Sequence, residues 1–190
     1  IESLDKGKEL IVNSGSKKTF IICLVNGKTE IGDVKIVINK SQVNVQILGI
    51  IIGYGKQKID LYTLQDHLEP ESVSDLFIKS VLFDEAKLNY RGLIKIEKNA
   101  QKSNAYQKNQ NLLMSKKAWV DSRPYLEILV NDVRCTHGAT IGRLDKEQLY
   151  YLESRGLAEN QATKLLLNGF FRDVLERIPD KDIREKLNKK

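Results

Sequence analysis

Apolar segments recur along the chain up to about Gly142, and several of them alternate apolar and polar residues with the period of two that is typical of β-strands. In the clearest example, Val34, Ile36 and Ile38 would share one face of a strand. β-Branched residues are frequent in these segments, which also favours strands. The predicted strands are 9–12, 19–25, 33–38, 43–52, 58–64, 73–83, 87–96 and 125–130.

The connections between these strands are too short for crossover helices. They consist of turn-forming residues such as Asn26-Gly27 and Glu69-Pro70. A sheet built from β-α-β units is therefore disfavoured. A sandwich, a barrel and a β-solenoid remain as alternatives.

Segment 100–115 differs from the rest because it is rich in Asn and Gln and has few apolar residues before Leu112. It is either a flexible loop or part of a solenoid, in which stacked amides form hydrogen-bonded ladders. No fixed repeat supports the solenoid. Composition alone favours the loop.

The pattern becomes helical at Asp145, which is a candidate N-cap. Gly156 would end this first helix, and a second would run from about Glu159 to Pro179. Asp180 could cap a short third helix.

The second predicted helix has more apolar residues than one buried stripe requires. We therefore expect it to pack against its own domain and also to bind a partner. Its apolar residues include Leu165, Leu166, Leu167, Phe170, Phe171 and Val174. Lysines at 189–190 would suit the negative end of the third helix.

Composition excludes several functional classes. The 31 Lys and Arg against 25 Asp and Glu give a net charge of +6, but the basic residues form no stripe and aromatic residues make up only 7%. This argues against a nucleic-acid partner. No apolar run is long enough to cross a membrane, and no signal-peptide pattern begins the chain. With only Cys23 and Cys135, we expect a protein of the reducing cytoplasm.

One segment contains candidate metal ligands. Cys135 and His137 are two residues apart, so on a strand they would share a face with α-carbons about 6.6 Å apart. Thiolate and imidazole bind soft and borderline metals. A buried Cys beside a hydrogen-bonded His is the simpler alternative. An iron–sulfur cluster needs about four ligands, so one here would need a second chain, carboxylates or exogenous thiols.

Other residues have simpler interpretations. Cys23 is expected in the core, and His67 in a turn or on the surface. Trp119 would anchor a core or an interface, and Arg123 and Asp132 would lie on the surface or in turns. Signatures of phosphate loops, zinc proteases, redox dithiols and serine hydrolases do not occur.

At this motif the sequence resembles the SufB/SufD family of iron–sulfur cluster assembly. The resemblance is dense from about Tyr90 to Ile178 and faint before Gly53. The matching blocks are Asn109 to Ser115, Val120 to Ile128, Asp132 to Asp145, Gln148 to Gly156 and Asn168 to Phe171.

The resemblance implies a mainly β fold, a right-handed parallel β-helix at 1–144 followed by a small α-helical subdomain at 145–190. It makes the amide-rich segment part of the solenoid. Because terminal coils expose unpaired strand edges, we expect the helices to cap one end. Typical members are longer, so this chain would be a fragment, truncated at its N-terminal end, or a short member.

The motif Cys135-Thr-His-Gly-Ala-Thr140 is similar to the SufD form. SufB proteins have a cluster-building cysteine at the position of Ala118 and a glutamate at that of Gly138. The resemblance therefore implies a non-enzymatic scaffold that is not itself the main sulfur acceptor. Its location would be the cytoplasm, or the stroma in a plastid-bearing organism.

The resemblance also implies partners and a cargo. The chain would pair with a SufB-like paralogue or with itself, and bind the SufC ATPase through its helices. Cys135 and His137 would contribute to a transient iron–sulfur cluster shared with the partner chain. The partner-binding residues would be Leu165, Leu166, Phe170, Phe171 and Val174. No nucleotide site is expected in this chain, and flavin dependence stays open. A purely structural solenoid, with Cys135 and His137 only packing, is the alternative.

Overall fold

The computed structural model describes residues 7–188 as a β-solenoid of about five coils followed by three helices. Each coil contains two strands. The strands are β1 (Lys8–Val12), β2 (Lys17–Leu24), β3 (Glu30–Ile38), β4 (Asn44–Gly53), β5 (Lys58–His67), β6 (Val73–Leu82), β7 (Lys87–Ile96), β8 (Asn104–Leu113), β9 (Trp119–Ile128) and β10 (Arg134–Arg143). The helices are α1 (Lys146–Ser154), α2 (Glu159–Glu176) and α3 (Lys181–Asn188).

The strands form two five-stranded sheets. One has the order β1-β3-β5-β7-β9, and the other has the order β10-β8-β6-β4-β2. All of the pairings are parallel. The predicted parallel β-solenoid is therefore confirmed, and a sandwich of antiparallel hairpins is excluded for this stretch.

The coils differ in length, which explains why no fixed repeat is visible in the sequence. Lys8 of β1 pairs with Val34 of β3, and Lys87 of β7 pairs with Trp119 of β9. The number of residues between the paired positions is larger in the second pair than in the first. The stacking therefore depends on strand register and not on a constant repeat length.

Alternate residues of each strand point into the solenoid, where Val, Ile and Leu form the main core. Gly49 lies in this interior opposite Ile78, which fills the space that a side chain on Gly49 would need. Tyr90 is also fully buried, and its hydroxyl group lies 2.8 Å from Thr63 Oγ1.

The loop favoured by composition for 100–115 is wrong. Residues Asn104–Leu113 form strand β8, with Gln107, Asn109 and Asn111 pointing inward and buried. Their amides bond to interior polar groups: Asn111 Nδ2 donates to Asn109 Oδ1 at 2.6 Å, and Ser80 Oγ to Asn111 Oδ1 at 2.5 Å. These bonds satisfy most of the amide groups, so the strand can bury them.

The expectation that His67 lies in a turn or on the surface is also wrong. His67 ends β5 and is fully buried. Its Nδ1 lies 2.7 Å from Ser72 Oγ, and its Nε2 lies 2.7 Å from Ser74 Oγ. Burial lowers the pKa of His67 to about 4, so the ring is neutral at pH 7. Cys23 is buried as predicted.

The helices do not cap an end of the solenoid, contrary to expectation. Val174, Leu175 and Ile178 pack on Leu48 and other outward residues of the β2-β4-β6 part of one sheet. An ion pair joins Arg177 of α2's C-terminal end to Asp75 of β6, at 3.2 Å. The helical subdomain therefore lies on the side of the solenoid.

The helix boundaries agree with the sequence signals. Asp145 accepts a hydrogen bond from the Glu147 N–H and caps α1. Gly156 follows α1 with φ +92°, a conformation that glycine adopts readily. Asp180 accepts from the Ile183 N–H at the start of α3. The lysines at 189–190 lie outside the described residues. Within 7–188, none of the helices has an apolar stretch that would cross a bilayer.

Candidate functional site at the open end of the solenoid

Strand β10 places Cys135 and His137 on its inward face, in register with Ala105 and Gln107 of β8. Both β8 residues are buried in the interior. Because β10 is the last strand of its sheet, the two side chains lie on the outermost layer of the solenoid interior. The predicted shared face is therefore present.

Cys135 is half-buried and packs against the interior cluster of Ile94, Ile96, Ala100 and Ala105. Burial raises the pKa of the Cys135 thiol, and a hydrogen bond with the Ala105 backbone offsets part of the effect. The thiol is therefore protonated at neutral pH unless a metal ion displaces the proton. His137, in contrast, is exposed.

Polar side chains occupy the next two inward positions of β8, in register with Ala139 and Ile141 of β10. Asn109, one strand below β10, accepts a hydrogen bond from Ser122 Oγ of β9 at 2.7 Å. Asn111 Nδ2 also donates to the Thr140 carbonyl of β10 at 3.0 Å. These bonds join β8 to both strands of the last coil, β9 and β10, which form the open end of the solenoid. Part of the interior next to this end is therefore polar.

The last coil leaves apolar interior positions exposed. Leu126 and Ile128 of β9 and Ile141 of β10 occupy inward positions, yet are 38%, 37% and 49% exposed. In the described sheets, β9 and β10 each have a strand on one side only. Unpaired edges with exposed apolar residues are typical of a surface that another chain covers.

The two candidate ligands are too few for a complete metal site. No group of three or more His, Cys, Asp or Glu side chains able to hold a metal ion occurs within residues 7–188. Ala118 is buried in the core, and Gly138 has open space where a side chain would project. Neither position provides a ligand here.

The predicted partner-binding residues divide between two surfaces. Leu165 is 52% exposed and Leu166 half-buried. Both line a groove of about 430 Å³ between α1 and α2, together with Tyr151 and Leu152. We call this the α1–α2 groove.

The other three residues face the solenoid. Val174 is fully buried, and Phe171 packs beside it against the sheet. Phe170 is half-buried, with its ring centroid 4.4 Å from Lys79 Nζ. In this arrangement Phe171 and Val174 hold α2 on the solenoid, and the free apolar surface lies at Leu165 and Leu166.

Several residues of these surfaces are missing from the sequence-based predictions. Exposed Tyr150 and Tyr151 lie on α1, at 72% and 57% exposure. Gln107 is also missing, although Gln107, Asn109 and Asn111 alternate with period two, the signal that could have identified an inward strand face.

Two further predicted positions have different outcomes. Arg123 lies on the surface as predicted and pairs with Asp121 at 2.7 Å. Trp119 is 46% exposed at the start of β9, outside the core. The indole is therefore no core anchor in this chain.

Comparison with known proteins identifies the family. Residues 6–170 match the family model for the SUF system FeS cluster assembly SufBD core domain. The chain belongs to the SufB/SufD family. It is 31% identical over 150 residues to the iron–sulfur cluster assembly protein SufD of Escherichia coli, covering 79% of this chain and 36% of that protein.

Two other relatives are similar at the same level. The SufD protein of Bacillus subtilis is 35% identical over 138 residues, 73% of this chain and 32% of the relative. The chloroplastic protein ABCI7 of Arabidopsis thaliana is 32% identical over 133 residues, which are 68% of this chain and 28% of the relative. The chain spans about a third of the length of these curated relatives. The predicted SufD-like resemblance is confirmed.

Proposed function

We propose that this chain is a scaffold subunit of SUF iron–sulfur cluster assembly, with the character of SufD. The observation that carries the proposal is the placement of Cys135 and His137 together on the uncovered last layer of the solenoid. The iron–sulfur cluster is the cargo of this scaffold. The chain itself performs no catalysis in this role.

The ligand set supports a shared site. His137 is exposed and presents an imidazole, which binds iron when neutral. Cys135 is a weaker candidate because its thiol is half-buried with a raised pKa. A cluster needs about four ligands, so a second chain would supply the others. The chain lacks a cysteine at Ala118 and a glutamate at Gly138, and we propose that the pairing chain provides these two groups.

The pairing surface in this proposal is the open end formed by β9 and β10. Its unpaired strand edges can continue the two sheets into a second solenoid, and its exposed Leu126, Ile128 and Ile141 would then become buried. The second solenoid is a SufB-like paralogue or another copy of this chain. Pairing would also cover His137, which shields a labile cluster from water.

The α1–α2 groove is the proposed docking site for the SufC-like ATPase. Apolar side chains in a groove between two helices provide the anchors that dominate binding energy at protein interfaces. The location is the cytoplasm, or the stroma in a plastid-bearing organism. Movement of the bound ATPase would be transmitted through α2, which packs directly on β4 and β6.

A structural role without cluster ligands is the second candidate. The packing of Cys135 into the apolar cluster at Ile96 and Ala105 favours it, because a thiol there acts as a small hydrophobic group. Under this alternative the solenoid only links the ATPase to the pairing chain. Iron retention by the assembled complex distinguishes the two candidates.

Anaerobic co-purification tests the pairing surface. Ile141→Lys places a charge at the open end, and Ile31→Lys is the matched control, because Ile31 is 54% exposed on the outward face of β3. We expect Ile141→Lys to abolish recovery of the second solenoid and Ile31→Lys to leave it unchanged. Equal recovery of the partner with both variants would contradict the proposed surface.

A further inference from the structure

Gln107 is a buried amide with one polar atom unsatisfied. Its side chain is fully buried, and its Nε2 donates to the Gly92 carbonyl at 3.2 Å. Its Oε1 has no hydrogen-bond partner among the residues that the structure describes. A buried acceptor without a donor destabilises the folded state, so an unpaired Oε1 in this position requires an explanation.

The position of this amide is fixed by its neighbours. A side chain on Gly92 would overlap the Gln107 amide, so the glycine is required for their close approach. Because Nε2 is held by the Gly92 carbonyl, Oε1 is the end of the amide that remains available.

The register of the sheet shows which neighbour on the same sheet can donate to Oε1; across the interior, the nearby Tyr90 hydroxyl is paired with Thr63 Oγ1. Gln107 has two register neighbours, Leu76 on β6 and His137 on β10. Leu76 has no donor in its side chain. His137 has a ring N–H, and register neighbours on adjacent parallel strands lie about 4.8 Å apart, within the combined reach of the two side chains.

We propose that Gln107 is a positioning residue for His137, which donates one ring N–H to Gln107 Oε1 when a second solenoid covers the open end. This inference rests on the proposed function at His137. A metal-binding histidine commonly donates its other ring N–H to an acceptor, which fixes its tautomer and ring orientation. Gln107 is that acceptor, and the second ring nitrogen faces the shared iron site.

The tautomer of His137 gives a direct test. The chain has only two histidines, so ¹⁵N-histidine labelling of this chain in the iron-free paired complex yields two rings, with His67 as an internal reference. We expect a single His137 tautomer in the wild type and a mixture of both in Gln107→Met. Gln107→Glu keeps an acceptor and should retain the single tautomer. A mixture in the wild type overturns the proposal, whether or not Gln107→Met folds.

A matched control removes a different buried glutamine. Gln65 is also fully buried with an unsatisfied Oε1, but its register neighbours are Ile36 and Ile94, so it does not lie beneath His137. Gln65→Met should leave the His137 spectrum unchanged. A loss of the single tautomer in both variants would indicate a general effect on the core and overturn the specific role.

Iron content separates this inference from the proposed function. We expect Gln107→Met to weaken iron retention by the paired complex by about tenfold or more, and Gln107→Glu to restore most of it. If His137→Ala lowers iron but Gln107→Met changes neither iron nor tautomer, the positioning role is wrong and the proposed function stands. If neither His137→Ala nor Cys135→Ser lowers iron, the proposed function fails whatever the tautomer shows.

Discussion

Lys79 Nζ lies 2.5 Å from Asp173 Oδ1, which joins strand β6 to helix α2 through a nearly buried cation. The same ammonium group donates to the Phe170 carbonyl at 2.5 Å. The Lys79 side chain is 6% exposed, whereas that of Asp173 is 54% exposed. A nearly buried charge, in addition to apolar packing, therefore holds the helical subdomain on the solenoid.

Removing the partner of this cation should destabilise the protein. Asp173→Asn leaves the Lys79 charge buried with only neutral acceptors, so we expect the free energy of unfolding to fall by about 1–3 kcal/mol. Lys79→Met should cost less, because it leaves only a half-exposed carboxylate behind. Urea denaturation measures both. Glu153→Gln, at an exposed residue of α1, is the control and should change stability by less than about 0.5 kcal/mol; an equal loss there would contradict the role of the ion pair.

The buried His67 should make stability fall in mild acid. Its pKa is about 4 in the folded protein and 6.5 in an unfolded chain, so between these values the unfolded chain binds a proton that the folded chain does not. The free energy of unfolding should therefore decrease by up to about 3 kcal/mol as the pH falls from 6.5 to 4, and this contribution should level off below pH 4.

His67→Gln is the variant that tests this pH dependence. Urea denaturation of both proteins at several pH values gives the difference, and the variant should lack the histidine contribution. Burial raises the pKa values of Asp66 and Asp75, whose titration acts in the opposite direction in both proteins. Parallel curves for the two proteins would show that His67 does not titrate between folded and unfolded states as described.

Gly49 should not tolerate a side chain. A Cβ at this position would lie 2.5 Å from Ile78 Cγ1 in the solenoid interior. We expect Gly49→Ala to lower the free energy of unfolding by about 1–3 kcal/mol through overpacking. Gly142→Ala on β10 is the matched control, since a Cβ there would meet open space. Thermal or urea denaturation measures both, and equal stabilities would refute the close packing of β4 on β6.

A charged residue should have different effects on the two surfaces of α2, the one in the α1–α2 groove and the one that faces the solenoid. Leu165→Asp should weaken binding of the proposed ATPase at least tenfold without loss of fold, because Leu165 lies exposed in the α1–α2 groove. Phe171→Asp should instead lower stability, because Phe171 packs toward the solenoid. Titration calorimetry and circular dichroism measure the two effects. Ile183→Asp on α3, 39% exposed, is the control; unchanged ATPase affinity for Leu165→Asp would place the docking site elsewhere.

Recurring apolar, β-branched segments predicted most of the strands, and several of these segments alternate because one face of the strand lies in the core and the other outside. This pattern failed where polar residues occupy the inward face. Asn109 and Asn111 bond to each other inside the solenoid, and a composition that is typical of loops therefore forms a buried strand. His67 was misplaced for the same reason, since its serine partners become neighbours only in the folded coil.

Long-range arrangement was harder to predict than local structure. Fewer residues separate Lys8 from its partner Val34 than separate Lys87 from its partner Trp119. The coils therefore leave no fixed period in the sequence. The position of the helices depends on outward apolar residues such as Leu48, which alternation assigns to a face but not to a partner. The placement of Cys135 beside His137 was predictable because it needs only a strand.

The iron content of the anaerobically assembled complex, measured with wild-type, His137→Ala and Cys135→Ser chains, tests whether the cluster site is shared. We expect His137→Ala to lose most of the iron without preventing assembly, and Cys135→Ser to lose less, because the thiol is half-buried with a raised pKa. The isolated chain should hold no stable cluster. Unchanged iron in both variants, or a stoichiometric cluster on the isolated chain, would contradict a cluster site shared across the open end of the solenoid.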